Sequence, residues 1–210
     1  MTRLNLLKKV REYLGRKRRK LEPILNTDRL GEFIDSRSSL VAQTSLYGYI
    51  KTRAGTRFPD LFENEEFLRS INIAKWQIWT ACVSDLAVFA GGLLYRELPD
   101  ADRVRQVLRQ AIDPLLVRTA QPSEAGEDFS AALERLNIRI AGAAFTDAAT
   151  LENAFTVSPD ALVYWAPIVD ELKSLDESIV RNSIRFRWQA PRRELREALH
   201  SARVFDSLDS

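Results

Sequence analysis

The chain has 210 residues, 45% of them hydrophobic and 29% charged, a composition that supports a folded core and excludes an intrinsically disordered chain. Its net charge of +2 conceals a separation: residues 1–20 carry nine Lys/Arg against Glu12, residues 21–180 hold 15 basic and 24 acidic side chains, and residues 181–203 hold seven basic and two acidic. One cysteine, Cys82, excludes an intrachain disulfide and points to a reducing, cytoplasmic setting, while one histidine, His200, excludes every metal site that needs two histidines from one chain.

At the N-terminus, Leu4, Leu7, Val10, Leu14 and Leu21 recur at helical spacing beneath Lys8, Lys9, Arg11, Arg16, Lys17, Arg18, Arg19 and Lys20. Residues 1–22 therefore read as a basic amphipathic helical arm. Charges interrupt every apolar run there and no small-residue cleavage site follows, so a secretory signal is not expected. Residues 23–210 read as one all-α domain, a bundle of about seven to eight helices: apolar positions step by three and four, and no run alternates as a half-buried strand would.

Thr27 or Asp28 can cap a helix that carries Leu30, Phe33, Ile34, Val41, Tyr47 and Ile50 inward and ends at Gly55. A loop through Pro59 follows, and Asn64 with Glu65 and Glu66 opens a long apolar helix to about Leu98. Its stretch Trp76–Tyr95 has the length of a membrane span, but Asp85 would cost about 2.5–3.5 kcal/mol at a bilayer centre, so a buried central helix is expected, with a possible break at Gly91-Gly92. Pro99-Asp100 stops that helix and starts another, which Pro114 should kink or end. Gln121–Gly126 reads as a linker. Helices then follow on Phe129–Ile140, near Thr146, from Ser158-Pro159 through Ile179 with a kink at Pro167, and from Pro191 to Phe205 with Ala202 inward. Trp76, Trp79, Phe89, Leu93, Trp165 and Ile179 are expected in the core.

Catalytic patterns are missing. No Gly-x-Ser-x-Gly elbow or Ser-x-x-Lys pair occurs, and Cys82 has no neighbouring base. Glu63-x-x-Glu66 with Glu97-x-x-Asp100 is similar to the magnesium-binding carboxylates of all-α nucleotide pyrophosphohydrolases, but on one continuous helix Glu66 and Glu97 would lie about 45 Å apart. No cofactor or metal is expected. Asp85, costly inside an apolar helix without a partner, is expected to pair with an arginine of the Arg53/Arg57 loop or of Arg181–Arg187. Lys51, Arg53, Thr56 and Arg57 stand where a helix ends and a loop begins, a place where cations could converge on a small anion if the loop turned over Ser84-Asp85. The run Arg185-Phe186-Arg187-Trp188 could stack nucleobases, but helix packing with internal Arg–acid pairing is the favoured reading.

The stretch Tyr49-Ile50-Lys51-Thr52-Arg53-x-Gly55-Thr56-Arg57-Phe58-Pro59-x-Leu61-Phe62-Glu63, with Ser70–Lys75 and Ala81–Leu86, resembles an uncharacterised bacterial family of all-helical cytoplasmic proteins, some of which carry the label "esterase". The resemblance implies a helical cytoplasmic protein and a role for the Lys51–Arg57 loop and Ser84-Asp85; it supplies no catalytic residue. The residues favour a non-enzymatic interaction or scaffold protein whose arm contacts an anionic membrane surface, on the inner face, or an acidic protein partner. A nucleic-acid binder and a small esterase are the alternatives.

Overall fold

Asn26, in extended backbone, accepts the Arg29 N–H through its side chain and so opens helix α1 (Thr27–Ala54). The cap lies one residue before Thr27 and two before Asp28, and Thr27 is already buried in the first turn. Gly55, at φ 57, ends the helix, and two short 3-10 turns carry the chain to Asn64. Asn64 accepts the Phe67 N–H and caps α2 (Glu65–Glu97), as the sequence predicts. This computed structural model describes residues 21–119, 122–148 and 154–208. The arm and its cations, Lys8 to Lys20, lie outside them.

Helix α2 is the axis of an all-α fold. It runs 33 residues without a break, and Ile78–Gly92 is buried on every side, so its apolar residues need no single stripe. Gly91 does not interrupt it. A Cβ there would lie 2.4 Å from the Phe145 ring, so this glycine makes room for a neighbouring helix. Among the described residues α2 is the one helix long and apolar enough to cross a membrane, and 89% of its most apolar window is covered by the rest of the chain.

Around α2 pack α1 and, in chain order, α3 (Ala101–Thr119), α4 (Phe129–Gly142), α5 (Phe145–Ala148) and α6 (Val157–Trp165). Asp100 starts α3 by accepting the N–H groups of Asp102 and Arg103, each at 3.0 Å. Pro114 neither ends nor divides α3, which continues to Thr119. At the crossing of α1 and α3 a Cβ on Gly31 would come within 2.2 Å of the Ala111 carbonyl oxygen, so the two backbones approach at a distance only glycine permits.

Pro167 separates helices rather than kinking one: α6 stops at Trp165, and α7 (Asp170–Arg187) begins after a short turn. Ile179, expected in the core, is 69% exposed, because α7 buries Val180 and Ile184 on its opposite side. The C-terminal helix is also two helices, α8 (Gln189–Ala198) and α9 (Ser201–Asp206). The break lets Ile24 donate its N–H to Ala198 and accept that of His200, tying the start of the described chain to its end. The turn also moves Ala202 outward and puts Val204 in the core. Trp79 and Phe89 are buried as expected; Trp76, Leu93 and Trp165 are partly buried against the same core.

Candidate functional site

The most constrained polar group is the Asp85 carboxylate, fully buried halfway along α2. It accepts a hydrogen bond from Arg139 Nη1 at 2.5 Å on α4, and from the backbone N–H groups of Val157 at 3.2 Å and Ser158 at 2.8 Å in the first turn of α6. An acid from one helix thus caps the N-terminus of another. The donors there lack an intrahelical partner and the helix dipole favours a negative charge, so the arrangement satisfies both groups. Arg139 also donates to Ser84 Oγ at 3.0 Å and, through Nη2, to the Ala154 carbonyl at 2.7 Å. Arg139 joins three elements through one guanidinium.

Burial pushes the Asp85 carboxyl above its usual value, opposed chiefly by the Arg139 charge and then by the hydrogen bonds from Ser158. The same burial, with Asp85 adding to it, pushes the Cys82 thiol well up, so the nucleophilic thiolate is disfavoured. Ser158 does not cap α6 with its side chain; its hydroxyl accepts the indole N–H of the fully buried Trp188 at 3.0 Å. The polar side chains under α6 therefore join α2, α4, α6 and the end of α7 into one body.

Above this cluster lies a groove of about 600 Å³ between α2, α4 and α6. Gln77, Thr80, Ala81 and Ser84 come from one face of α2; Arg135, Leu136 and Arg139 from α4; Ala161, Tyr164 and Trp165 from α6. The spacing in each helix is three and four, so one face of each contributes. Arg135 stands exposed at the rim, and Asp160, also at the rim, is bonded to Arg181. The groove offers mainly apolar walls, with an arginine and a hydroxyl at its floor.

The sequence-predicted cations are elsewhere. Lys51, Arg53, Thr56 and Arg57 are exposed at the end of α1 and in the turn that follows. Phe62, in the next turn, packs edge-on against Phe67 near the start of α2, and Asp85 is 18 residues further along, about 27 Å on an unbroken helix. The loop does not turn over Ser84-Asp85, and Asp85 pairs with neither Arg53 and Arg57 nor Arg181–Arg187; Arg139 takes that place. Arg53 instead meets Asp176 of α7 in a bidentate pair, and Asp176 is held below its usual value chiefly by that hydrogen bond. Beside the pair, the Tyr49 hydroxyl has no well-formed hydrogen bond; burial first, then Asp176, pushes it up to about 12. His200 is exposed on the turn between α8 and α9. Glu66 and Glu97 occupy opposite ends of one helix, and no cluster of three or more acids, His and Cys able to hold a metal occurs among the described residues.

Arg139 is the residue the sequence reading missed. Its signal was present: α4 carries Phe129, Ala132, Leu136 and Ile140 inward, and Arg139 lies one residue beside that stripe, where a long side chain reaches the core while its stem packs on the border. No family model matches the chain, and comparison with curated proteins and with solved structures likewise gives no match.

Proposed function

We propose that this chain is a non-enzymatic interaction protein, of scaffold or regulatory kind, whose basic N-terminal arm contacts an anionic membrane surface or an acidic protein partner in the cytoplasm. The observation that carries the reading is the charge separation: eight net positive charges in residues 1–20 beside nine net negative in residues 21–180. Each Lys or Arg near an anionic leaflet contributes about 1 kcal/mol, and the leucines beneath them suit the interfacial layer. An acidic body is repelled from the same surface, so contact falls to the arm, with the chain peripheral on the inner face. The engagement of Asp85, Arg139 and Ser158 in one another's bonds, and the raised Cys82 thiol, support binding over hydrolysis. Kinship with the helical bacterial family rests on the residues quoted above and is part of this proposal, whereas its "esterase" label finds no nucleophile elbow in the sequence and only the exposed His200 as an imidazole base.

The test compares the intact protein with one lacking residues 1–22 in co-sedimentation with anionic and with neutral vesicles, and in a gel-shift assay with duplex and single-stranded DNA. Vesicle binding that needs anionic lipid and disappears with the arm is the expected result. Binding to DNA alone would replace this reading with the nucleic-acid one. The groove favours a second reading, an apolar ligand with a small anionic head lying between α2, α4 and α6 with Arg135 at the rim. Decanoate raising the melting temperature of the wild type but not of Ala161→Trp would support it.

A further inference from the structure

Helix α7 has two apolar faces. One, Val180 and Ile184, is buried in the domain. The other lies on the far side of the helix: Leu175 is 74% exposed, Ile179 69% and Phe186 70%, with the half-buried Leu172 before them and Asn182 between Ile179 and Phe186 on the same face. Leu172, Leu175, Ile179, Asn182 and Phe186 alternate steps of three and four, which at 100° per residue keeps all five within one narrow seam. An exposed seam of this spacing, with one amide inside it, is the pattern of a helix that pairs with another helix.

The charges bordering the seam identify the partner. Flanking it on one border are Glu171 in the first half of α7 and Arg185 in the second, whereas Asp170, Glu177 and Arg181 lie on the opposite side of the helix and Asp176 is held within the domain by Arg53. We propose that the seam is the two-fold interface between two copies of this chain, paired antiparallel along α7. In that orientation Glu171 of each helix meets Arg185 of the other, whereas a parallel pair would leave the two at opposite ends of the interface. Glu171, Ser178 and Arg185 recur every seven residues along one border, so Glu171 of each copy faces Arg185 of the other across the axis. Glu171 is exposed, and among the described residues Arg185 makes a 3.4 Å contact with Asn182 and no ion pair.

The N-terminal arm is the competing occupant, and charge disfavours it. Ile24, which follows the arm in sequence, pairs with Leu199 at the end of α8. An arm with nine cations lying along the seam would have to set them beside Arg185 on its border. Pairing of two copies leaves both arms available, and two arms on one particle bind a surface with far greater avidity than one.

Sedimentation equilibrium of the intact protein over a wide concentration range reads this directly. The expected result is a reversible shift from the 24.0 kDa monomer to twice that mass. Ile179→Glu, on an exposed position that leaves the domain folded by circular dichroism, weakens the dimer by about tenfold or more. Glu171→Arg and Arg185→Glu each weaken it several-fold at low salt, and the double variant restores it. A wild type that stays monomeric throughout overturns the proposal, as does a dimer indifferent to Ile179→Glu. Dimers that appear only after residues 1–22 are removed would also overturn it, with the arm as the occupant of the seam.

Discussion

Helices α2 and α7 each carry residues that contradict their surroundings, and they resolve the contradiction differently. In α2 the misfit is polar: Ser84 and Asp85 sit within an apolar helix buried on all sides. The chain answers it internally, with one guanidinium and two backbone N–H groups from other elements. In α7 the misfit is apolar: Leu175, Ile179 and Phe186 face outward on a charged helix, and the described residues supply nothing to cover them. A buried charge without partners costs several kcal/mol, a large share of a domain's ordinary stability, whereas an exposed leucine costs little and can await a partner. The first misfit is therefore a stability device and the second an association device.

Breaking the α2 device should have the largest effect. Asp85→Ala leaves Arg139 and the N–H groups of Val157 and Ser158 without their acceptor, and urea unfolding should show a loss of about 3–5 kcal/mol. Asp85→Asn keeps one acceptor oxygen and should lose less. Gly31→Ala comes next: the methyl group has to displace the Ala111 carbonyl, and the loss of about 1–3 kcal/mol expected for overpacking should exceed the gain of about 1 kcal/mol in helix propensity. Ile179→Glu should move the monomer's unfolding free energy by no more than about 0.5 kcal/mol, as an exposed substitution on α7. The same Glu within a buried stretch of α2 would abolish folding.

The legible part of the fold follows from strong local signals. Asn64 with two acids after it, Asp100 after Pro99 and the positive-φ Gly55 set helix ends that the structure reproduces. Ile179 was illegible because α7 is apolar on two faces, and periodicity alone does not say which of them meets the core. Ser158-Pro159 misled in another way. A serine before proline at a helix start reads as a cap, yet the capping acceptor came from Asp85, 73 residues earlier, and the hydroxyl went to Trp188. The need of Asp85 for a cation was visible in the sequence. The choice of Arg139 depends on how α4 lies across α2, which no local pattern records.

Acid titration should give the smallest effect and the sharpest sign. Asp176 is held below its usual value by the hydrogen bond from Arg53, and Glu124 by the hydrogen bonds from Lys75 and Trp76. Their contributions are complete above the ordinary carboxylate range and are lost as pH falls below it, because the unfolded chain takes up those protons first. Asp85 is displaced the other way. Its folded form takes up a proton before the unfolded one, so its contribution grows on acidification and falls as pH rises through its raised value. Melting temperature against pH should therefore drop only below about pH 4. In Arg53→Ala the melting temperature at pH 7 should be slightly lower, because the pair is shallow on the surface, and that at acid pH unchanged, so the drop should be shallower.

The central claim is that the body is held together by its charged cluster while the arm does the binding. The most direct test is the affinity of the intact protein for anionic vesicles as salt is raised. Electrostatic attachment by a basic arm predicts a steep fall in affinity between about 50 and 200 mM salt, as the Debye length shrinks to about 7 Å. Affinity that is flat with salt, or that survives removal of residues 1–22, would contradict it.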